Sequence, residues 1–585
     1  MAASETPAPT SLVDVLRDRA QRHGERPLYQ LLVDQAVVET LSYADADRRA
    51  RALALELREH ANPGDRVLLL YPFGLEYPAV FLACLYAGLV AVPAFPPDKQ
   101  RAVKTMPRVS RIIRDADARL ILTTAELAPT VEFARAEARD PDALKILASD
   151  EIEVTQADAD RWTRPAALEQ LVAFLQYTSG STGTPKGVMI GHDNLYAHQR
   201  FAHEIFGQPE AARTVSWLPF YHDMGLIGSL LYPLYHGGTT LLMSPTAFLR
   251  RPMAWLENIA KFGAQVSTGP NFAYDLCVDK ARDEDIAKLD LSSWRLTVSG
   301  AEPLRASTLE RFSARFAPCG FRPETFMPCF GMAEATLMVS GWPLELAPKL
   351  VCFDKAALRT GVAEPVPATH DQARAYVSCG APMRAHQLAI VDPHTRARLP
   401  DRREGEIWLR GPSVGRGYWG DAQTSAQRFA ATILDEDPSV TWFRTTDTGF
   451  IHEGELFGTG RLADLIVVDE RIHQPHDIER SVGEGQDALA ADCVVFMAPL
   501  ADGQRQVCLA ATGRRTMPED QRVALCERIF ARVRDQHELA LDRVLLIRQR
   551  SVAKTTSGKL RRFRYAAALR DGELDILCER SSAGL

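Results

Sequence analysis

None of the ten cysteines in this 585-residue chain is paired at Cys-x-x-Cys spacing. That absence excludes a zinc ribbon and a dithiol redox motif, and the scattered thiols point to a reduced, cytoplasmic compartment. No apolar run reaches the ~18 residues of a membrane span. The longest, Pro78 to Phe95, is interrupted by Tyr86, Gly88 and two prolines and reads as a buried helix running into a strand. Met1 to Thr10 lacks the basic-then-apolar order of a signal peptide, so no membrane association is expected. A basic excess is missing too: 75 acidic residues face 68 basic ones, a net charge of −7, which argues against nucleic acid as the main partner. Clusters such as Arg561-Arg562-Phe563-Arg564 are local, a solvated face or a small-anion contact. Internal repeats and low-complexity tracts are also absent. What remains is an ordinary globular composition, 46% hydrophobic and 24% charged, long enough for about four domains or fewer large ones.

Strand and helix patterns alternate from Ser11 onward. Leu12 to Leu16 opens an amphipathic helix behind Thr10 and Ser11 as candidate caps. Short apolar strands are predicted at Arg66–Tyr71, Leu89–Val92, Ala118–Thr123, Thr214–Leu218, Thr239–Met243, Gln265–Gly269 and Arg295–Ser299, most followed by a helical stretch. That alternation predicts an α/β protein with parallel sheets covered by helices. After about Gly380 the texture changes to short alternating segments with Gly, Pro and Asp turns, a small antiparallel β subdomain. Beyond Gly460 an α/β pattern resumes. A boundary is placed at Arg461–Asp464, and the last ten residues read as disordered.

The densest motif is Tyr177-Thr178-Ser179-Gly180-Ser181-Thr182-Gly183-Thr184-Pro185-Lys186-Gly187, directly after an apolar strand. Glycines free the backbone, and four hydroxyls and one lysine crowd the same loop. The set suits wrapping a polyphosphate, with a plain Gly/Ser turn as the alternative. It is not a Walker A loop, because Gly187 follows the lysine. Ser299-Gly300-Ala301-Glu302-Pro303 follows a second strand, and Cys329-Phe330-Gly331-Met332-Ala333-Glu334-Ala335-Thr336 forms a third motif. Glu334 stands among small residues, where a carboxylate needs a partner; Mg²⁺ carried in by a nucleotide is one and open solvent another. Asp447, read as lying in a turn, offers acceptors for ribose hydroxyls, and Arg461 a fork of donors. Lys559 lies on a Ser-Gly loop and becomes catalytic only if the C-terminal domain folds back over a nucleotide.

Taken in order, these motifs resemble the adenylate-forming superfamily of acyl-CoA synthetases, luciferases and peptide-synthetase adenylation domains, over about residues 12 to 565. The resemblance implies a large N-terminal domain, 1–460, holding ATP and a fatty acid, with an insertion near 350–382 and the β subdomain near 383–460. A hinge at 461–464 and a mobile C-terminal lid domain, 465–585, carrying Lys559 complete it. It implies ATP and Mg²⁺ as cofactors. Thr178, Ser179, Gly180, Ser181, Thr182, Gly183 and Lys186 would hold phosphates, and Ser299, Gly300, Ala301 and Glu302 would flank adenine. Phe330, Gly331, Met332, Ala333, Glu334 and Thr336 supply the third motif, Asp447 and Arg461 the ribose contacts, and Glu334 with Thr178 the metal ligands. Lys559, Glu334 and His222 are the implied catalytic residues, His222 orienting the carboxylate or simply packing.

Finer features resemble one branch, the fatty acyl-AMP ligases: Trp217 to Gly228, Gly269 to Cys277, and the inserted segment Leu350 to Pro382. Members of that branch form acyl-adenylates and pass the acyl group to the phosphopantetheine of an acyl-carrier protein, usually on a polyketide or lipopeptide assembly line. The acyl pocket is expected around Met224–Ser229 and Asn271–Leu276, and the insertion is expected to pack on the C-terminal domain through Val351, Phe353 and Leu358. Departures from the branch pattern are Ala463 in place of lysine, Glu470 and Ile472 in place of glycine and asparagine, and Thr446 where glycine is common. They bear on the transfer step. The alternatives are a fatty acyl-CoA synthetase, which the insertion opposes, and a non-catalytic acyl or nucleotide binder, which Lys559, Glu334 and Asp447 oppose.

Overall fold

The computed structural model describes residues 9–97, 102–178, 185–300, 302–469, 471–483, 489–490, 492–500, 504–514, 516–548 and 562–582. Ser179, Gly180, Ser181, Thr182, Gly183, Ala301, Glu470 and Lys559 from the sequence reading lie outside the described residues.

Two large sheets dominate the first 380 residues. A nine-stranded sheet runs in the order Ala381–Pro382, Met338–Gly341, Phe326–Gly331, Leu296–Ser299, Val266–Gly269, Arg213–Ser216, Thr239–Leu242, Pro27–Val33 and Ala36–Ser42. Its centre is parallel and its edge pairs are antiparallel. A six-stranded sheet runs Lys145–Ala148, Leu120–Thr123, Arg66–Leu69, Val90–Pro93, Val172–Thr178 and Lys186–Gly191. Their facing sides share one core, filled by Leu28 and Tyr29 from the first, Val67, Leu69 and Ala91 from the second, and helices between them. The helix Glu76–Ala87 is buried along almost its whole length, as its unbroken apolar sequence requires. The helix Leu12–His23 starts as expected, with the Ser11 side chain accepting from the Asp14 N–H.

A four-stranded antiparallel sheet follows, Gln387–Val391, Gly405–Arg410, Phe443–His452 and Glu455–Arg461. The last large unit is a mixed sheet, Cys493–Pro499, Arg505–Gly513, Arg543–Arg548 and Ile576–Ser581, packed on the helix Glu519–His537. The expected disordered tail is corrected here: Ile576–Ser581 pairs antiparallel with Arg543–Arg548. Its charged sequence hid the strand because an edge strand needs few apolar positions. The segment Asp464–Val468, read as the start of the C-terminal α/β pattern, supplies the strand Ile466–Val468; its partner Arg471–His473 escaped the sequence reading.

The insertion corrects a second expectation. Leu350–Asp354 and Ala373–Val377 form a two-stranded ribbon. Phe353, Leu358 and Tyr376 bury themselves against Phe450 and Phe457 of the antiparallel sheet, with Val351 packed alongside, rather than against the C-terminal unit. The link to that unit is ionic: Arg359 pairs with Glu538 at 2.8 Å and Arg374 with Asp477. Ile472 lies beside Gly361 of the insertion. Aromatic rings at 4.9–5.5 Å explain the preference for the sheet.

Three histidines are buried in the first unit. Burial lowers His192 to about 4 and both His198 and His236 to about 3. Their unfolded values stay near 6.5, so the unfolded chain binds protons first as pH falls, and stability is lost from about pH 6.5 downward. At about 1.36 kcal/mol per unit, each takes away up to ~2 kcal/mol by pH 5. The thermal midpoint of the chain is therefore expected to drop between pH 7 and pH 5. A flat midpoint across that window would show that these imidazoles protonate freely in the folded state.

Candidate active site

A cavity of about 760 Å³ opens where the two large sheets, the antiparallel sheet and the C-terminal unit meet. Thr178 ends one hairpin strand and Lys186 begins its partner, so both reach the cavity from opposite sides of the same turn. Lys186 Nζ lies 3.3 Å from Asp421 Oδ2, 3.3 Å from Thr424 Oγ1 and 5.0 Å above the Tyr418 ring. Asp421 is held below the usual carboxylate range chiefly by Thr424 hydrogen bonds, with Lys186 adding to it.

Glu334 is half-buried and accepts a 2.9 Å hydrogen bond from the Tyr418 hydroxyl. Burial, and then the Glu334 charge, push the Tyr418 phenol well up, so it stays a donor. Glu334, Phe330, Gly331, Met332 and Ala333 all line the cavity. Gly331 has a packing reason of its own: a Cβ there would stand 1.9 Å from the Leu337 carbonyl oxygen.

Gly300 and Glu302 enter from the end of the strand Leu296–Ser299. Asp447 and Arg461 are register partners in the antiparallel sheet, with Nε of Arg461 3.5 Å from Asp447 Oδ1. The turn expected at Asp447 is corrected: it lies within the strand Phe443–His452. The preceding Thr446 has φ of +62°, a left-handed backbone that a β-branched residue tolerates poorly. Glu406, fully buried and paired with Arg444 at 2.7 Å, holds it there by accepting from the Thr446 N–H at 3.1 Å. His222 also lines the cavity; its Nδ1 stands 2.7 Å from Asp223 Oδ1, and Asp223 caps the wide helix Met224–Leu231 by accepting from the Met224 N–H.

Two assigned residues do not line the cavity. Ser299 is fully buried behind it, and Thr336 is fully buried with its hydroxyl donating to the Ser413 carbonyl at 2.7 Å. The structure thus gives Thr336 a part in holding the third motif against the loop that carries Ser413. The acyl pocket expected at Asn271–Leu276 is corrected as well. Ala273 and Tyr274 are buried in a core with Phe272 and Leu276 packed against it and do not line the cavity, while Met224 and Gly228 do.

The cavity is also lined by Val266 and Thr268 of the strand Val266–Gly269 and by Val298, Leu337 and Met338, which give it an apolar part. Phe206 and Tyr232, edge to face at 4.9 Å, line it too. Four arginines, Arg428, Arg461, Arg505 and Arg562, are among the lining residues. The sequence reading missed Tyr418, Thr424 and Arg428, although Tyr418 stands in the glycine-bearing run Gly415-Arg416-Gly417-Tyr418-Trp419-Gly420 that could have flagged it, and it named Arg562 as a solvated face or small-anion contact, whereas its side chain is 18% exposed and paired with Asp464 and Glu479.

A joined polar and apolar cavity of this kind suits a nucleotide beside a hydrophobic acid. The AMP-binding enzyme profile matches residues 16–419. The chain belongs to the AMP-binding enzyme family. In this enzyme, residues 463–578 also match the AMP domain of Disco-interacting protein 2-like proteins. The medium-chain-fatty-acid–[acyl-carrier-protein] ligase JamA of Moorena producens is 38% identical over 571 residues, covering 97% of this chain and 96% of JamA. The 4-hydroxyphenylalkanoate adenylyltransferase of Mycobacterium tuberculosis is 37% identical over 573 residues, covering 94% and 90%. Among solved structures, a fatty acyl-adenylate ligase from Legionella pneumophila, in complex with acyl adenylate and pyrophosphate, superposes with a TM-score of 0.75 at 34% identity over 99% of both chains. The α/β adenylate-forming fold and the fatty acyl-AMP ligase resemblance read from the sequence agree with these relatives. Among the described residues, no helix of the enzyme is long and apolar enough to cross a membrane.

Proposed function

We propose that the enzyme activates a fatty acid with ATP, releasing pyrophosphate, and then supplies the acyl group to the phosphopantetheine thiol of an acyl-carrier protein in the cytoplasm. One observation carries this reading: Lys186, Glu334, Asp447 and Arg461 line the same cavity as the apolar side chains Val266, Val298, Leu337 and Met338. The names of the relatives, a medium-chain fatty acid ligase and an adenylate-bound ligase, support it.

In this reading the acid's alkyl chain fills the apolar part of the cavity and its carboxylate oxygen attacks the α-phosphorus. The bond from α-phosphorus to the bridging oxygen breaks, and pyrophosphate carries the electron pair away. The chain supplies no nucleophile, so catalysis is positioning and charge neutralisation. Lys186 faces the leaving phosphates, Asp447 and Arg461 the ribose, and His222, steadied by Asp223, the carboxylate. Thiolate then attacks the acyl carbonyl and AMP leaves. The four lining arginines suit the phosphate of the phosphopantetheine arm.

Glu334 and Thr178 fit a hard cation, since both offer oxygen and share the chamber. Among the described residues no group of three His, Cys, Asp or Glu could hold a metal, so Glu334 and Thr178 would hold Mg²⁺ together with oxygens brought by the nucleotide. When bound it neutralises phosphate charge. Glu334→Gln is expected to raise the Mg²⁺ concentration for half-maximal pyrophosphate release by ~10-fold or more, since a lost charge contact of ~1.4 kcal/mol is already tenfold. Overlaying titrations would remove Glu334 from the metal.

The test of the whole reading is incubation with ATP and laurate, with and without CoA. Acyl-AMP accumulation with little acyl-CoA is expected, because the insertion is ion-paired to the C-terminal unit. Robust acyl-CoA formation would assign a CoA synthetase, and no pyrophosphate with any fatty acid a non-catalytic binder.

A further inference from the structure

The strand Phe443–His452 leaves its regular ladder where it passes the cavity. Trp408 pairs with Arg444 and Glu406 with Thr448, so Ile407 alone stands opposite Thr445, Thr446 and Asp447. Those three residues form a bulge, and all three line the cavity. A bulge bends its strand and re-aims a side chain, and it breaks the ladder locally. Side chains replace the lost backbone bonds here. The Thr445 hydroxyl donates to the Ile407 carbonyl at 2.6 Å and accepts from the Asp447 N–H at 3.0 Å. Glu406 does not line the cavity, and its side chain is 0% exposed. One of its carboxylate oxygens accepts from the Thr446 N–H at 3.1 Å. The other accepts from Arg444 Nη2 at 2.7 Å and Nε at 3.1 Å. Arg444 also lies over the Trp408 ring at 5.2 Å. Glu406 thus ties the left-handed centre of the bulge to the regular pair beside it. Both of its partners are donors, so a carboxylate serves both and an amide does not.

We propose that Glu406 is a positioning residue for the nucleotide: by closing the bulge it aims the Asp447 carboxylate at the ribose hydroxyls of ATP. Asp447 directly follows Thr446, whose φ of +62° is costly for a β-branched residue and needs an outside hold. Release of the Thr446 N–H lets that backbone relax, and the carboxylate moves from its place 3.5 Å from Arg461 Nε. Hydrogen bonds to ribose hydroxyls depend on direction as well as distance, so a misaimed carboxylate loses them. This inference rests on the ribose role given to Asp447 above.

The experiment compares kcat/KM for pyrophosphate release with ATP, 2′-deoxy-ATP and 3′-deoxy-ATP at saturating laurate. The unmodified enzyme is expected to favour ATP over at least one deoxy analogue by ~10-fold or more, the worth of a hydrogen bond to a charged group. Glu406→Gln leaves one amide oxygen for two donors, and Glu406→Asp is one methylene too short to span both. In each, KM for ATP should rise about tenfold, KM for laurate should hold, and the preference over the deoxy analogue should fall toward one, with folding checked by thermal melting. Adding Thr446→Gly should restore the preference, because glycine takes the left-handed backbone without an outside hold. A folded Glu406 variant that keeps the preference overturns the positioning role, and so does a loss that glycine fails to repair. Equal use of ATP and both analogues by the unmodified enzyme overturns the ribose role of Asp447 and this inference with it, while the ligase reading stands. No pyrophosphate with any fatty acid overturns the ligase reading itself.

Discussion

Lys559→Ala is expected to cut acyl-adenylate formation by ~10²–10³-fold, the usual loss when one preorganised charge contact to a developing anion is removed, while ATP binding persists. The lysine stands in Lys554-Thr555-Thr556-Ser557-Gly558-Lys559, with no other cation between Lys554 and Arg561. Arg562, three residues further along the chain, lines the cavity and is anchored to Asp464 at 3.0 Å and to Glu479 at 3.0 Å. The start of the helix Arg562–Arg570 is therefore fixed beside the cavity. Negative charge gathers on the carboxylate and α-phosphate oxygens only as they approach. A cation there lowers kcat/KM for adenylation when lost, not the affinity for nucleotide. Pyrophosphate release with a fatty acid, beside ATP binding by calorimetry, checks both halves. Near-normal turnover would take Lys559 out of the mechanism.

Arg374→Ala should destabilise the C-terminal unit by about 3–5 kcal/mol, the cost typical of removing one member of a buried ion pair. Arg374 lies on the insertion and Asp477 on the helix Pro475–Gly483, and their side chains are 15% and 10% exposed. Burial alone would raise the Asp477 carboxyl; Arg374, His476 and Arg480 outweigh it and hold it below the usual range. Without Arg374 the carboxylate is left in the same low-dielectric site with weaker company. Because its folded value is depressed, the stability it contributes is present above about pH 4 and is lost as pH falls through the folded value. The gap between wild type and variant in thermal unfolding should therefore be wide at pH 7 and close on acidification. The variant should also gain acyl-CoA synthesis, since the C-terminal unit loses one of its ties to the insertion. An unshifted unfolding profile would mean the pair contributes nothing.

The sequence by itself determined the α/β class, many of the buried strands and the family, and it marked three glycine-bearing motifs as candidates for nucleotide chemistry. Those signals are local: apolar runs fix buried strands such as Leu120–Thr123, and a hydroxyl-rich turn announces itself within eleven residues. Only the tertiary structure decided which motif residues share the chamber. Thr336 turned into a structural clasp and Ser299 into packing, because whether a side chain faces a cavity or the opposite layer depends on strands far away in the chain. It also decided that Tyr418, more than eighty residues beyond Glu334, is that carboxylate's donor. The insertion shows the same division: its apolar residues were legible, but their choice of Phe450 and Phe457 over the C-terminal unit depended on which surface offered complementary rings.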